Sequence, residues 1–477
     1  MNVVYLLTGF VFLNTIAASE TFSASMFKVR DKKVIELGWD IPTAAYIKDN
    51  ISGMETKPFD GVCFRYNQEA PLAFEKRVWT ESEMNFTTLS QIAWGSKLTN
   101  NFLQLWGQSK NNDPDWYNDE LWRMVVGNMK LFSKAMKLSK AKGVFFDSEF
   151  YYHNETHSPW VYNATIFPDK SFGVVKTKVR QRGREFIVAL QTEMPNVEFL
   201  CTYLVGMAWA RSGQSVDNLA TTSYALLPSF LDGMLDGATS GAVFIEGNEG
   251  SYGYDETRKF ASGYDYIRNE STGAINLISA DVRHKFSSQG QIAMALYVDQ
   301  LYGRDGTGWP TAYYKNWFIH NVYNGLLVSD QYVWCYSESL NWWTNTNVPA
   351  GLGEDLRATK VKFANAEALG FDMVKLNNYW DVAQAEVVST PVVSITVPQN
   401  NALLGNSFTV TAQITQPVSK VVFYLNSRKV GEDTSFPYTY AASNLISGKY
   451  TIFAMAFTAD QKHTSSNPVN IEVHNKR

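Results

Sequence analysis

The residues Lys142-Gly-Val-Phe-Phe-Asp-Ser-Glu-Phe-Tyr-Tyr152 decide how this chain is read. Val144, Phe145 and Phe146 are an apolar, β-favouring run that ends on Asp147 and Glu149. Side chains alternate along a strand, so if the strand continues these two acids share one face. A strand that is apolar on both faces until its C-terminal end is buried in a parallel sheet and carries charge only at the rim. The rest of the chain reads as the scaffold that holds those two carboxylates.

Working outward, strands are expected at residues 34–40, 61–66, 102–106, 197–204, 242–246, 291–298 and 332–338. The 291–298 segment is also compatible with a helix. Between the strands, helical periodicity marks residues 87–98, 118–140, 170–194, 220–235, 310–328 and 354–369, and a helix starts near Pro42. In the 118–140 helix, Leu121, Met124, Val125, Met129 and Phe132 make an apolar stripe. Eight strands, most followed by a helix, fit an α/β fold of the (β/α)8 TIM-barrel type, with its active face at the strand C-termini. The alternative, a doubly wound sheet, needs a G-x-G-x-x-G turn after its first strand. Here that turn reads Gly38-Trp-Asp-Ile-Pro42.

At 477 residues the chain exceeds one ordinary core, so two domains are expected. Residues 1–19 read as a signal peptide, with an uncleaved anchor as the alternative, residues 20–388 as the barrel and residues 391–477 as a second domain. A net charge of -4 gives no reason to expect a nucleic acid or an anionic membrane as partner. Cys63, Cys201 and Cys335 are odd in number and lie in apolar runs, which favours buried thiols over disulfides. Sequons stand at Asn50, Asn85, Asn154, Asn163 and Asn269.

From residue 392 onward short alternating segments replace helices, at 393–397, 407–412, 420–425, 450–456 and 468–473. They predict an all-β immunoglobulin-like sandwich. Val421-Val-Phe-Tyr-Leu-Asn-Ser-Arg-Lys-Val-Gly, with Phe436-Pro-Tyr and Gly448-Lys-Tyr-Thr, resembles the bacterial Ig-like modules appended to secreted polysaccharide-degrading enzymes. The resemblance implies export and a carbohydrate context, and such modules also occur in adhesins.

The acids at strand ends are Asp40, Asp147, Glu149, Glu246, Asp299 and Glu338. Convergent carboxyl groups at a barrel mouth suit glycosidic cleavage, in which one group protonates the leaving oxygen and another acts from the opposite side. Solvated acids at strand ends are the bland alternative. The run Gly143-Val-Phe-Phe-Asp-Ser-Glu149 resembles the tail of the D-x-x-D-x-D-x-E strand of family 18 glycoside hydrolases, with Lys142 and Phe145 at the two earlier acidic positions. That resemblance implies Glu149 as the acid and Asp147 as its partner. Resemblance to retaining barrel glycosidases implies Glu338, or else Glu246, as the nucleophile.

Trp39, Trp106, Tyr151, Tyr152, Tyr203, Tyr336, Trp342 and Trp343 lie near the same ends, where aromatic rings can stack on sugar faces or simply pack the wall. Asn248 sits in a glycine-rich turn at the same end. His153 and His157 are spaced i, i+4 but lack the H-E-x-x-H pattern, so no metal and no cofactor is expected. The expectation is a secreted glycoside hydrolase acting on a polysaccharide or oligosaccharide with Glu149 as general acid. The alternative is a non-catalytic carbohydrate-binding or adhesive protein.

Overall fold

Nine short parallel strands make the wall of the first body: β1 (Lys33–Gly38), β2 (Gly61–Phe64), β3 (Phe102–Trp106), β4 (Gly143–Asp147), β5 (Glu198–Cys201), β6 (Val243–Glu246), β7 (Gly290–Ile292), β8 (Met294–Tyr297) and β9 (Tyr332–Ser337). This is a computed structural model, and it describes residues 31–110, 115–152, 158–163, 165–299, 311–367, 369–373, 387–388, 391–459 and 463–474. The strand order is β7-β6-β5-β4-β3-β2-β1-β9-β8. Only Ala293 separates β7 from β8, and its N–H continues the ladder to Glu246 O at 2.8 Å. One extended segment therefore pairs with β6 through its first half and with β9 through its second, which closes the barrel. The seventh segment is a strand and not a helix.

Alternation sorts the wall. Ile35, Leu37, Cys63, Phe145, Leu200, Ile245 and Trp334 form one buried cluster, the barrel interior. Val34, Val62, Phe64, Val144, Phe146 and Cys335 belong to a second cluster, which they share with the helices. At the N-terminal end the Tyr332 hydroxyl donates to Glu198 Oε2 at 2.6 Å across the interior.

The helical shell comprises α1 (Ala44–Met54), α2 (Phe86–Ser90), α3 (Asp119–Leu138), α4 (Phe172–Leu190), α5 (Gly206–Arg211), α6 (Leu227–Gly237), α7 (Thr257–Arg268), α8 (Ala280–Gln289), α9 (Thr311–Val328) and α10 (Leu352–Ala364). Helix α3 begins where Asn118 Oδ1 accepts the N–H groups of Glu120 and Leu121. The α4–α6 crossing needs glycine on both sides, because a Cβ on Gly183 would lie 2.1 Å from Phe230 O and one on Gly233 would lie 1.8 Å from Arg180 O. The helix expected at 87–98 stops at Ser90. The Glu55 carboxylate takes the N–H groups of Gly95, Lys97 and Leu98, so that stretch is held as a loop. The helix expected at 220–235 is a 3-10 turn, Val216–Thr221, followed by α6.

A short antiparallel pair, β10 (Asp372–Met373) with β11 (Val387–Val388), precedes the sandwich. One sheet runs β12 (Val393–Val397), β14 (Phe408–Ile414), β17 (Tyr438–Ala442). The other runs β13 (Ala402–Leu404), β20 (Val469–Val473), β18 (Gly448–Phe457), β15 (Lys420–Leu425), β16 (Arg428–Asp433), with β19 (His463–Ser465) on β18. Strands β15 and β18 are apolar on both faces because both faces are covered. Val421, Phe423, Ile452 and Ala454 fill the sandwich, whereas Val422, Tyr424, Phe453 and Met455 join the barrel's helical cluster. Ser427 Oγ donates to Leu327 O at the end of α9, and Arg258 N in α7 donates to His463 Nε2.

Among the described residues no helix is long and apolar enough to cross a membrane. Residues 1–19, His153 and His157 lie outside the described residues.

Candidate active site

Strand β4 ends on Asp147, which is buried, and Glu149 follows two residues beyond the strand, half-buried. The turn between them is local. Asp147 Oδ1 accepts the Glu149 N–H at 3.0 Å, and the Ser148 hydroxyl lies against Thr202 and Tyr203 O. Tyr151 then folds its hydroxyl back to 2.9 Å from Asp147 Oδ2 and 2.6 Å from Glu149 Oε2. Its backbone N–H donates to Gln108 Oε1 at 2.8 Å, and its ring lies 4.9 Å from Trp106, which also faces Tyr152 at 6.3 Å. Burial, then the Glu149 charge, pushes the Asp147 carboxyl up to about 7, although hydrogen bonds and Arg65 act the other way.

The second acid of this mouth is Glu249, which sequence reasoning missed. Asn248 takes a left-handed conformation (φ 50°) and starts a 3-10 turn, Glu249–Gly253, that swings Glu249 back over the barrel end. Burial, followed by the charge of Glu149, raises Glu249 to about 8. The Tyr203 and Tyr252 hydroxyls face the same carboxyl and act against that rise, although Oε2 has no partner at hydrogen-bond length. Tyr252 stacks on Tyr336 at 5.5 Å and meets Trp334 and Tyr297 edge to face or tilted at 5.4 Å. The charges of Glu149 and Asp147 both reach Glu249, with Tyr151, Tyr203 and Tyr252 around the three acids.

Glu338 follows β9 at the same rim, and its Oε1 accepts the Tyr336 hydroxyl at 3.2 Å. Asp299, buried after β8, holds the turn in place by accepting the N–H groups of Glu338, Ser339 and Leu340. Trp39 is 75% exposed beside Tyr336.

Of the residues expected at the site, Glu246, Trp342 and Asn248 are buried and the half-buried Asp40 bonds within the protein. Glu246 is 0% exposed, and its Oε2 accepts the N–H groups of Leu204, Val205 and Gly206 at 2.8 to 3.0 Å, so its carboxyl serves the start of α5. Trp342 is 1% exposed, edge-on to Phe59 at 4.9 Å, with Nε1 donating to Ser337 Oγ, which leaves no ring face for a sugar. Asp40 Oδ2 accepts the Trp342 N–H at 2.8 Å. Asn248 is buried and sends its amide to Met294 Sδ, which makes it a turn former.

No group of three or more His, Cys, Asp or Glu among the described residues is placed to hold a metal ion. A cavity of about 680 Å³ lined by Lys32, Leu326, Phe363, Tyr450 and Ile471 opens between α9, α10 and the sandwich. Lys32 precedes β1, so this cavity lies at the end of the barrel remote from the carboxyl groups, and the chemistry points to the mouth instead.

The C-terminal sandwich is a bacterial Ig domain, matched by the family model of that description over residues 391–454. No curated protein matches the chain. Solved structures similar to it include fibronectin(III)-like modules of Clostridium thermocellum CbhA, at 27% identity over 17% of this chain and 94% of that one, with a TM-score of 0.17. The endo-beta-1,4-mannanase from Thermotoga petrophila aligns at 8% identity over 94% of this chain and 99% of its own, with a TM-score of 0.38. A glucosidase from Croceicoccus marinus aligns at 8% over 93% and 95%, with a TM-score of 0.36.

Proposed function

We propose that the chain is a glycoside hydrolase that cleaves a polysaccharide or oligosaccharide at the barrel mouth, with Glu149 and Glu249 as its working carboxyl groups. The observation that supports this reading is that the acids following β4 and β6 interact: the Glu149 charge helps to raise the Glu249 carboxyl, and the hydroxyls of Tyr151, Tyr203 and Tyr252 lie beside them. Glycosidic cleavage needs one carboxyl that still holds its proton and one that is ionised. Glu249, raised to about 8 by burial and its neighbour, is the proton donor. Glu149, half-buried and bonded by Tyr151, is the carboxylate base or nucleophile. This exchanges the role expected for Glu149 from the sequence. Asp147 holds Tyr151 and the Glu149 turn in place.

Trp39, Trp106, Tyr203 and Tyr336 offer ring faces or hydroxyls to sugar units, and Glu338 binds hydroxyls at the rim. The reaction as proposed uses these side chains alone. The bacterial Ig domain supports an exported protein acting on an external glycan.

Reducing-end release from a panel of polysaccharides tests the proposal, with the purified protein beside Glu149→Gln and Glu249→Gln. A substrate cut by the parent and spared by both variants supports it. Equal cutting by all three removes both acids from the mechanism. Binding of a glycan that is never cut replaces this reading with the carbohydrate-binding one.

A further inference from the structure

Glu36 has no part in the chemistry proposed above. It lies in the middle of β1, 0% exposed, on the outer face of the barrel wall, paired in register with Val62 and Cys335. Neither of its carboxyl oxygens meets a hydrogen-bond donor among the described residues. Asp40 is in the same position with one oxygen: Oδ2 accepts the Trp342 N–H, and Oδ1 is buried without a donor. The stranded oxygens converge. A Cβ on Gly38 would sit 3.0 Å from Glu36 Oε1 and 2.6 Å from Asp40 Oδ1, so the two carboxyl groups occupy the space a side chain at position 38 would need.

Two ionised carboxylates buried this close repel strongly, with little water to screen them. No cation among the described residues bonds to either group, and nearby Lys360 is committed to Asp60 Oδ1 at 2.7 Å and Pro58 O. One proton between them removes the repulsion and partners two of the three orphaned oxygens, Glu36 Oε1 and Asp40 Oδ1. The thiols of Cys63 and Cys335, which feel Glu36, are pushed upward chiefly by burial and stay neutral.

We propose that Glu36 and Asp40 share one proton behind the barrel wall, and that Glu36 thereby acts as a positioning residue for the 338–343 turn. Asp40 transmits the effect through the Trp342 N–H, while Asp299 grips the other end of the turn through three N–H groups. The consequence for substrate binding by Glu338 rests on reading the mouth as the active site, whereas the shared proton and the anchored turn do not.

The test uses the full chain and no substrate. Infrared difference spectra of the parent against Glu36→Gln at neutral pH report whether a neutral carboxylic acid is lost with Glu36. Amide hydrogen exchange of the 338–343 peptide in Glu36→Gln and Glu36→Leu reports the turn. The expected result is loss of a neutral-acid carbonyl band in Glu36→Gln. Exchange in that variant stays near the parent's, because the amide still donates to Asp40, and rises about tenfold or more in Glu36→Leu. A difference spectrum without a neutral-acid band overturns the shared proton. Unchanged exchange in Glu36→Leu overturns the positioning role, and if that variant does not fold, Glu36→Ala replaces it with the same readout.

Discussion

The Tyr151 hydroxyl lies 2.6 Å from Glu149 Oε2 while remaining 2.9 Å from Asp147 Oδ2. A phenol has one hydrogen to donate, so two short contacts to carboxyl oxygens need a second proton. Of the two carboxyl groups, Asp147 is the one pushed up, to about 7, by burial and the Glu149 charge. Tyr151 thus bridges the two carboxyl groups, with the shorter contact to Glu149.

Tyr151→Phe breaks that bridge and leaves the ring on Trp106 in place. A hydrogen bond to a charged group is worth about 1.5–3 kcal/mol, so kcat/KM should fall roughly 10- to 100-fold. Steady-state kinetics with a thermal melt check this. An unchanged rate would remove Tyr151 from the mechanism.

Glu249 links activity and stability to pH in the same direction. Its folded-state pKa is raised to about 8, so the folded state holds the proton more tightly than the unfolded chain does. The associated stability is fully present below the unfolded-state value and is lost as pH rises through about 8. Activity should fall across that same limb as the donor loses its proton. Glu249→Gln cannot ionise, so its Tm should gain on the parent's as pH rises from about 5 to 9. Parallel melts across that range decide the matter.

Glu246 is expected to affect stability and not chemistry. Glu246→Ala strands three backbone N–H groups at the start of α5, and each buried orphan costs about 1–3 kcal/mol. Chemical denaturation should show a loss of several kcal/mol, with a smaller loss for Glu246→Gln, which keeps an acceptor.

Trp39 separates binding from catalysis. The ring is 75% exposed, so Trp39→Ala should leave Tm alone and raise KM for a polymer several-fold with kcat little changed. A fall in kcat at constant KM would place the ring at the reacting centre instead.

How much of this was legible depended on what each signal measures. The β4 strand could be read because an unbroken Val-Phe-Phe run has few other uses, and Asp147 with Glu149 follows from alternation at its end. Glu246 and Glu149 look alike in sequence, as acids closing apolar runs. Only the fold shows that Glu246 meets the backbone N–H groups of α5. Glu249 was hidden because it lies past the strand, in a turn set by the left-handed Asn248; the Asn-Glu-Gly sequence beside a strand end was the available signal. Trp342 and Trp343 suggested a sugar platform by type, but ring burial is decided by Phe59, which is remote in sequence. In the sandwich, the two-sided apolar pattern of β15 was visible in Lys420-Val-Val-Phe-Tyr-Leu425, and it marks the face that packs on the barrel.

The most direct measurement compares two leaving groups in two variants. Rates are taken for Glu249→Gln and Glu149→Gln on the natural glycan and on an aryl glycoside whose nitrated phenol departs without protonation. Glu249→Gln should lose about 10²-fold or more on the glycan yet stay near the parent on the aryl glycoside, while Glu149→Gln loses activity on both. Equal losses on both substrates for Glu249→Gln, or a Glu149→Gln enzyme that still cuts the glycan at the parent's rate, would contradict the proposed roles.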